Sequence, residues 1–247
     1  MRLRFKQGVV ASMFLAAGLA SAASVTVPTN TLYNGFYLEP QAARLDFSVD
    51  LLAALDTSKT NVVGYGAATA TVLKDSDGFY TEATDAAPIT SLTIDTGTQQ
   101  VLSFSTTGGV TMTAPVLKSV SSGGSLTVTD LNIDLANKKI YATLIGGNGV
   151  GTLNNVYLWD IGSITGSTST QNSGTYITTL TGLSITTEGF NKVMTSLGLF
   201  NFGESALTGV TDFGTITVVA VPEPGTPALM GLGLAGLLIS KRRRQGA

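Results

Sequence analysis

Two aromatic side chains and a carboxylate lie close together in the chain, at Tyr157, Trp159 and Asp160. Residues two apart in an extended strand lie on the same face, so we expect Tyr157 and Trp159 to share a surface, with Asp160 beside them. Aromatic faces contact the C–H groups of sugar rings, and a carboxylate accepts hydrogen bonds from sugar hydroxyls. The three residues are therefore a candidate sugar contact. A tryptophan packed in the core of a β-domain is the competing and favoured interpretation of Trp159.

A second candidate chemistry is metal binding by the segment Asp75-Ser76-Asp77-Gly78. Alternating carboxylates before a glycine look like half of a calcium loop, but an EF-hand needs further ligands where this chain has Phe79 and Ala86. A hairpin turn is the favoured interpretation. The fifteen acids in residues 24–220 also permit a carboxylate pair for glycoside hydrolysis, although the sequence singles out no pair. We predict no catalytic residue, no metal ligand and no cofactor.

Composition narrows the chemistry further, because the 247 residues contain neither cysteine nor histidine. Thiol nucleophiles, Ser-His-Asp triads, zinc sites of the Cys/His type and disulfides are excluded. Residues 24–220 contain seven cations and fifteen acids, a net charge of −8. An acidic body argues against nucleic acid and against anionic membrane surfaces as partners.

The elements that position these residues are predicted to be strands. Apolar and polar residues alternate, with many β-branched side chains, over 126–129, 131–135, 139–144, 176–180 and 215–219. Turn signals separate such runs at 75–78, 108–109, 123–124, 137–138 and 146–149. This pattern predicts a mainly β fold, an antiparallel β-sandwich or barrel-like domain with one or two short helices.

One segment has helical spacing instead. Apolar residues at positions 190, 193, 194 and 197 form one helical face, which Thr186 or Thr187 could cap and Gly198 could end. Residues 45–55 fit a second helix or a strand equally well, so both interpretations stay open.

The N-terminal residues have the pattern of a secretory signal peptide. Arg2, Arg4 and Lys6 precede an apolar run over 9–19, and the small residues Ala20 and Ala22 form a cleavage site for signal peptidase. We therefore expect residues 1–23 to be a signal peptide and the body of the protein to be exported.

The C-terminal residues contain three elements in a fixed order. The tripeptide Pro222, Glu223 and Pro224 precedes an apolar, glycine-rich run over 228–240, and a basic cluster follows at Lys241, Arg242, Arg243 and Arg244. A helix over 228–240 would be about 20 Å long, short of the roughly 30 Å hydrocarbon core. We expect a short transmembrane helix that is held transiently in the inner membrane, with the basic stop signal on the cytoplasmic side.

This order of elements resembles the PEP-CTERM sorting tail of Gram-negative bacteria, with residues 222–224 as the sorting motif. The resemblance implies that an exosortase, a membrane processing enzyme, recognises the tripeptide and removes the tail. It divides the chain into a signal peptide (1–23), an exported β-rich domain (24–220) and the sorting tail (221–247). A precursor tethered to the inner membrane would then reach the cell surface or extracellular matrix.

The function that the resemblance implies is a structural or adhesive role beside exopolysaccharide in a biofilm, and we do not expect an enzyme. Two alternatives remain open from the residues. One is a secreted carbohydrate-active enzyme that uses paired carboxylates, and the other is a calcium-binding or small-ligand-binding module.

Overall fold

The computed structural model describes residues 23–34, 36–170 and 176–224, in which 14 strands and three helices are present. The strands are β1 (Ser24–Pro28), β2 (Leu32–Tyr33), β3 (Phe36–Phe47), β4 (Asn61–Tyr65), β5 (Thr69–Lys74), β6 (Tyr80–Ala87), β7 (Ile89–Asp95), β8 (Val101–Thr106), β9 (Gly109–Leu117), β10 (Ser121–Asp134), β11 (Lys139–Gly146), β12 (Gly151–Gly166), β13 (Tyr176–Ile185) and β14 (Gly214–Pro224). The helices are α1 (Val49–Thr57), α2 (Thr187–Leu197) and α3 (Phe202–Thr208).

All 14 strands belong to one antiparallel sheet, whose main path runs β1-β7-β8-β10-β11-β12-β13-β14-β3-β6-β5. A branch leaves β10 through β9 to β4. Strands β4 and β5 follow each other in the chain, and a Cβ on Gly64 would lie 3.1 Å from the backbone nitrogen of Ala70. The sheet therefore curls until the branch and the far end of the main path adjoin. The mainly β, antiparallel prediction is confirmed in the form of a single curled sheet.

The strand predictions from alternating residues are confirmed, and most of the turn predictions are confirmed with them. In β11, for example, Ile140, Ala142 and Leu144 are buried while their neighbours are partly exposed. The turn predicted at 123–124 is wrong, because both glycines lie inside β10. A Cβ on Gly124 would lie 2.2 Å from the carbonyl oxygen of Ser196, so this glycine serves the close approach of α2 to the sheet.

Helix α2 confirms the prediction made from helical spacing. The Thr186 side chain accepts a hydrogen bond from the backbone nitrogen of Gly189 at 3.0 Å, and Gly198 ends the helix in the left-handed conformation. Residues 45–55, which fit a strand or a helix, contain both, because they divide at Ser48. The Ser48 side chain accepts from the backbone nitrogen of Leu51 at 3.1 Å and so begins α1.

Helix α3 corrects the predicted number of helices from one or two to three. It has seven residues and no side-chain hydrogen bond at its N-cap, Asn201. Its buried Leu207 and its packing against α1 hold it in place, so tertiary contacts stabilise a segment that has little helical signal of its own.

The three helices pack against the inner face of the curled sheet, where their buried side chains join one apolar core. No helix in the described parts of the chain is long and apolar enough to cross a membrane. The predicted membrane helix over 228–240 and residues 1–22 of the predicted signal peptide lie outside the described residues.

The cap at Ser48 gives a prediction about stability. Replacing Ser48 by alanine removes the acceptor for the Leu51 N–H, and also the donor to the carbonyl oxygen of Asp212. We expect Ser48→Ala to lower the free energy of unfolding by about 1–2 kcal/mol in denaturant titrations. Val49→Ala, at an exposed neighbouring position, is the matched control and should change it by less than about 0.5 kcal/mol. Equal effects of the two substitutions would contradict the assigned cap.

Candidate functional site

A bulge in β12 decides which of the predicted sugar-contact residues meet. Tyr157 pairs with Tyr141 on β11, and Trp159 pairs with the next residue, Ile140, so Leu158 is an additional residue on β12. The extra residue reverses the alternation of faces. Trp159 therefore points inward with Ile140, and the prediction that Tyr157 and Trp159 share a face is wrong. The competing interpretation, a core tryptophan, is confirmed, since Trp159 is only 7% exposed.

Tyr157 and Asp160 stay together on the outer face, where β11 adds two further side chains. Tyr157 donates a hydrogen bond to Asp160 Oδ1. The rings of Tyr141 and Tyr157 lie 5.3 Å apart between centroids, tilted by 34°. Lys139 Nζ lies 4.7 Å from the centroid of the Tyr157 ring. We call Lys139, Tyr141, Tyr157 and Asp160 the outer aromatic cluster.

The electrostatics of this cluster keep Tyr157 protonated. Its hydrogen bond to Asp160 raises the pKa of Tyr157 to about 12, and partial burial and the charge of Asp160 act in the same direction. The cluster thus presents two aromatic rings with their hydroxyl groups, the Asp160 carboxyl group and the Lys139 amino group. These are the groups that stack on a sugar ring and hydrogen-bond to its hydroxyls.

A cavity of about 60 Å³ lies on the other side of the sheet, between its inner face and the three helices. Its walls are mostly apolar and come from β3, β6, β9, β10, β12, β13, α1, α2 and α3. Trp159 forms part of this wall beside Phe213, with the two ring centroids 6.2 Å apart. The bulge therefore leaves Tyr157 on the outer face and places both Leu158 and Trp159 on the cavity side.

Asp85 is the charged residue of the cavity wall, and sequence reasoning missed it. Among the described residues that line the cavity, no other carries a charge. Asp85 is 6% exposed, and its Oδ1 atom has no hydrogen-bond partner within the described part of the chain. Burial raises the pKa of Asp85 to about 6. One feature of the sequence could have indicated its burial. Asp85 lies among alanines at 83, 86 and 87, which is an unusual setting for a surface carboxylate.

Trp159 carries the second unpartnered polar atom of the cavity wall, its Nε1–H donor. A buried indole N–H or carboxylate oxygen without a partner is costly, and native proteins rarely leave one. Two residues of the cavity wall therefore hold fully buried polar atoms, one acceptor and one donor, that the described residues do not satisfy.

The acidic segment at 75–78 forms the turn between β5 and β6, as favoured from the sequence. Asp75 Oδ1 accepts hydrogen bonds from the backbone nitrogens of Asp77 and Phe79, at 3.0 and 2.9 Å. In the described segments, no group of three or more acids is placed to hold a metal ion. The Asp75 carboxylate thus has a structural use in the hairpin.

The tripeptide at 222–224 lies at the end of strand β14. Backbone pairing places Pro222 opposite Leu38, Glu223 opposite Tyr37 and Pro224 opposite Phe36 on β3. The other neighbour, β13, begins opposite Ala220, so among the described residues 221–224 pair with β3 alone. Because proline lacks an N–H group, Pro222 and Pro224 cannot donate backbone hydrogen bonds to a neighbouring strand.

The remaining predicted site residues lie outside the described residues. They are the cleavage-site residues Ala20 and Ala22 and the basic cluster Lys241, Arg242, Arg243 and Arg244.

Comparison with protein-family models matches residues 220–244 to the PEP-CTERM protein-sorting motif. The comparisons with curated proteins and with solved structures gave no match. The family match confirms the resemblance of the C-terminal tail. A motif of this kind implies an extracellular protein, exported as a membrane-anchored precursor and targeted to exosortase. It covers only the tail and does not extend to the β-domain before it.

The burial of Asp85 gives a prediction about pH. Its pKa is about 6 in the folded state against an ordinary 3.8, so the folded protein binds the proton more tightly and loses stability as pH rises from about 4 to about 6. We expect Asp85→Asn to raise the free energy of unfolding by about 1–3 kcal/mol at pH 8. Denaturant titrations should show this gain shrinking towards zero by pH 4.

Asp77→Asn is the matched control for this charge change, because Asp77 is exposed in the turn. It should give no gain at pH 8. A gain from Asp85→Asn that is the same at pH 4 and pH 8 would contradict a buried, ionised carboxylate.

Proposed function

We propose that this protein has a structural or adhesive role beside exopolysaccharide in the bacterial extracellular matrix, and that it is not an enzyme. The observation that carries the proposal is the sorting motif at 220–244, which directs the chain to exosortase. The motif follows an acidic β-domain without cysteine or histidine, which suits a soluble extracellular part. The signal peptide, the Gram-negative host and the biofilm setting belong to this proposal.

The outer aromatic cluster is the proposed contact with polysaccharide. Tyr141 and Tyr157 supply faces for the C–H groups of a sugar ring, and Asp160 and Lys139 supply an acceptor and a donor at its edges. The residues come from two adjacent strands that pair on both sides of the bulge, so the sheet holds them in place without ligand. Trp159 is not part of this surface.

A role without catalysis agrees with the way in which several carboxylates are used. Within the described residues, six aspartates accept hydrogen bonds from backbone nitrogens in or beside turns, which is a structural use. They are Asp56, Asp75, Asp95, Asp130, Asp134 and Asp212. The paired-carboxylate enzyme therefore has no specific support from the geometry.

Processing at the motif requires the end of β14 to leave the sheet, because a protease needs an extended and accessible backbone. Residues 221–224 are bound on one side only among the described strands, and they lie at the end of β14. Strand ends open at little free-energy cost. The motif can thus be presented to exosortase while the rest of β14 stays paired with β3 and β13.

The sorting part of the proposal predicts two molecular species in the native host. With exosortase present, intact-mass measurement should find a released protein that lacks the basic cluster 241–244. Without exosortase, the protein should keep the cluster and stay in the membrane fraction. The variant Pro222→Ala, Pro224→Ala should behave like the exosortase deletion, and Thr226→Ala, outside the tripeptide, should behave like the natural protein. Release with an unchanged mass in both strains would overturn the proposal.

The adhesive part predicts a contact at the outer aromatic cluster. We expect Tyr157→Ala to weaken binding to the host's purified exopolysaccharide about two- to tenfold, since an aromatic contact contributes about 0.5–1.5 kcal/mol. Tyr65→Ala removes an exposed tyrosine from β4 and is the control. Thermal melts should show that both variants fold. No binding by the natural protein, or equal losses in both variants, would contradict this role.

A further inference from the structure

The two ends of the β-domain lie at the same edge of the curled sheet. Seven antiparallel pairings lead from β1 to β14 along the main path of the sheet. Antiparallel neighbours run in opposite directions, so an odd number of pairings makes β1 and β14 run in opposite directions. The beginning of β1 and the end of β14 are therefore at one edge, where β7, β10 and β12 also end.

A short series of contacts connects the two ends at this edge. The carbonyl oxygen of Ala23 accepts hydrogen bonds from the backbone nitrogen and the hydroxyl of Thr96, at 2.8 and 2.7 Å. In the same turn, Gln99 Oε1 accepts a hydrogen bond from Asn34 Nδ2 at 2.8 Å. Asn34 precedes β3, whose first residue is the backbone partner of Pro224. The places where the chain enters and leaves the domain are thus linked through neighbouring turns.

The sorting tail leaves this edge through a very short connection. We call the edge the exit rim, defined by Ala23, Pro224 and the connections 96–100 and 135–138. Pro224 is the last residue of β14, and the predicted membrane helix begins at residue 228, so three residues separate the sheet from that helix. An extended chain spans at most about 3.6 Å per residue, so while β14 stays paired, Pro224 lies within about 15 Å of the apolar part of the bilayer.

We propose that the tail holds the exit rim against the lipid headgroups in the membrane-anchored precursor, with the opposite edge of the sheet turned away from the membrane. The inference rests on the sorting part of the proposed function and is independent of the adhesive part. Residues 222–224, at the end of β14, then lie at the bilayer surface, within reach of a membrane processing enzyme. Because both ends leave at the exit rim, the domain can fold completely before either end is released.

The charge of the domain makes the short tether necessary for this contact. Residues 24–220 have a net charge of −8, which opposes free binding to anionic lipids. The exposed residues of the rim turns, 96–98 and 136–138, include one charged side chain, the cation Lys138, and Glu223 in the motif offsets it. The rim turns are thus less acidic than the domain as a whole. Removal of the tail should nevertheless let the domain leave the membrane.

The absence of cysteine from the sequence allows a single thiol label to be placed at either edge. Ala136→Cys places the label on the exit rim. Ser76→Cys, in the turn between β5 and β6, is the matched control at the opposite edge, and both positions are exposed. Strands such as β11, with eight residues, separate the two edges by about 20–25 Å.

The test reconstitutes the labelled precursor, with its tail intact, into vesicles of phosphatidylethanolamine and phosphatidylglycerol that contain a headgroup-nitroxide lipid. We expect the nitroxide to quench the fluorescent label on Ala136→Cys and to leave the label on Ser76→Cys unquenched. Inserting a flexible Gly/Ser segment of about 20 residues between Gly225 and Thr226 should abolish this difference, because such a segment reaches about 25 Å on average. Thermal melts should show that each labelled variant folds.

Three results would overturn the inference. The first is equal quenching of the two labels in protein that floats with the vesicles. The second is unchanged quenching of the rim label after the Gly/Ser insertion, which would mean that the short tether does not set the orientation. The third is failure of the natural precursor to float with the vesicles, which would contradict the sorting part of the proposed function as well.

Discussion

The packing of three short helices onto the inner face of one curled sheet is the interaction on which the rest of the structure depends. The chain has no disulfide to restrain its unfolded state, so burial of apolar surface must provide the stability. Fully buried side chains such as Leu126, Leu158 and Leu183 come from strands far apart in the chain. Curling brings them into one core, and the helices close that core from the inside.

The bulge at Tyr157–Trp159 connects this core with the outer surface. A strand with regular alternation would have placed both aromatic residues on one face. The additional residue, Leu158, separates them, so Tyr157 joins Tyr141 outside while Trp159 borders the cavity inside. One local irregularity therefore places one aromatic ring on the proposed polysaccharide contact and the other in the core.

The C-terminal end of the described chain links the fold to export. The sorting tripeptide continues β14, where its backbone pairs with β3. The same strand is held more firmly towards its beginning, where β13 and β3 flank it on both sides. This gradient in pairing allows the motif to open without loss of the domain.

The sequence alone determined the sorting motif, the antiparallel strands and helix α2, because each depends on local order or spacing: a tripeptide with its flanks, alternation with period two, and an apolar helical face with its caps. Only the tertiary structure decided the site residues. Alternation cannot reveal the bulge that turns Trp159 inward, since residues 156–159 are all apolar or aromatic. Nor can it show that Asp85 is buried, because that depends on α1 and distant strands covering it. Helix α3 likewise exists through its packing against α1 rather than through its own propensity.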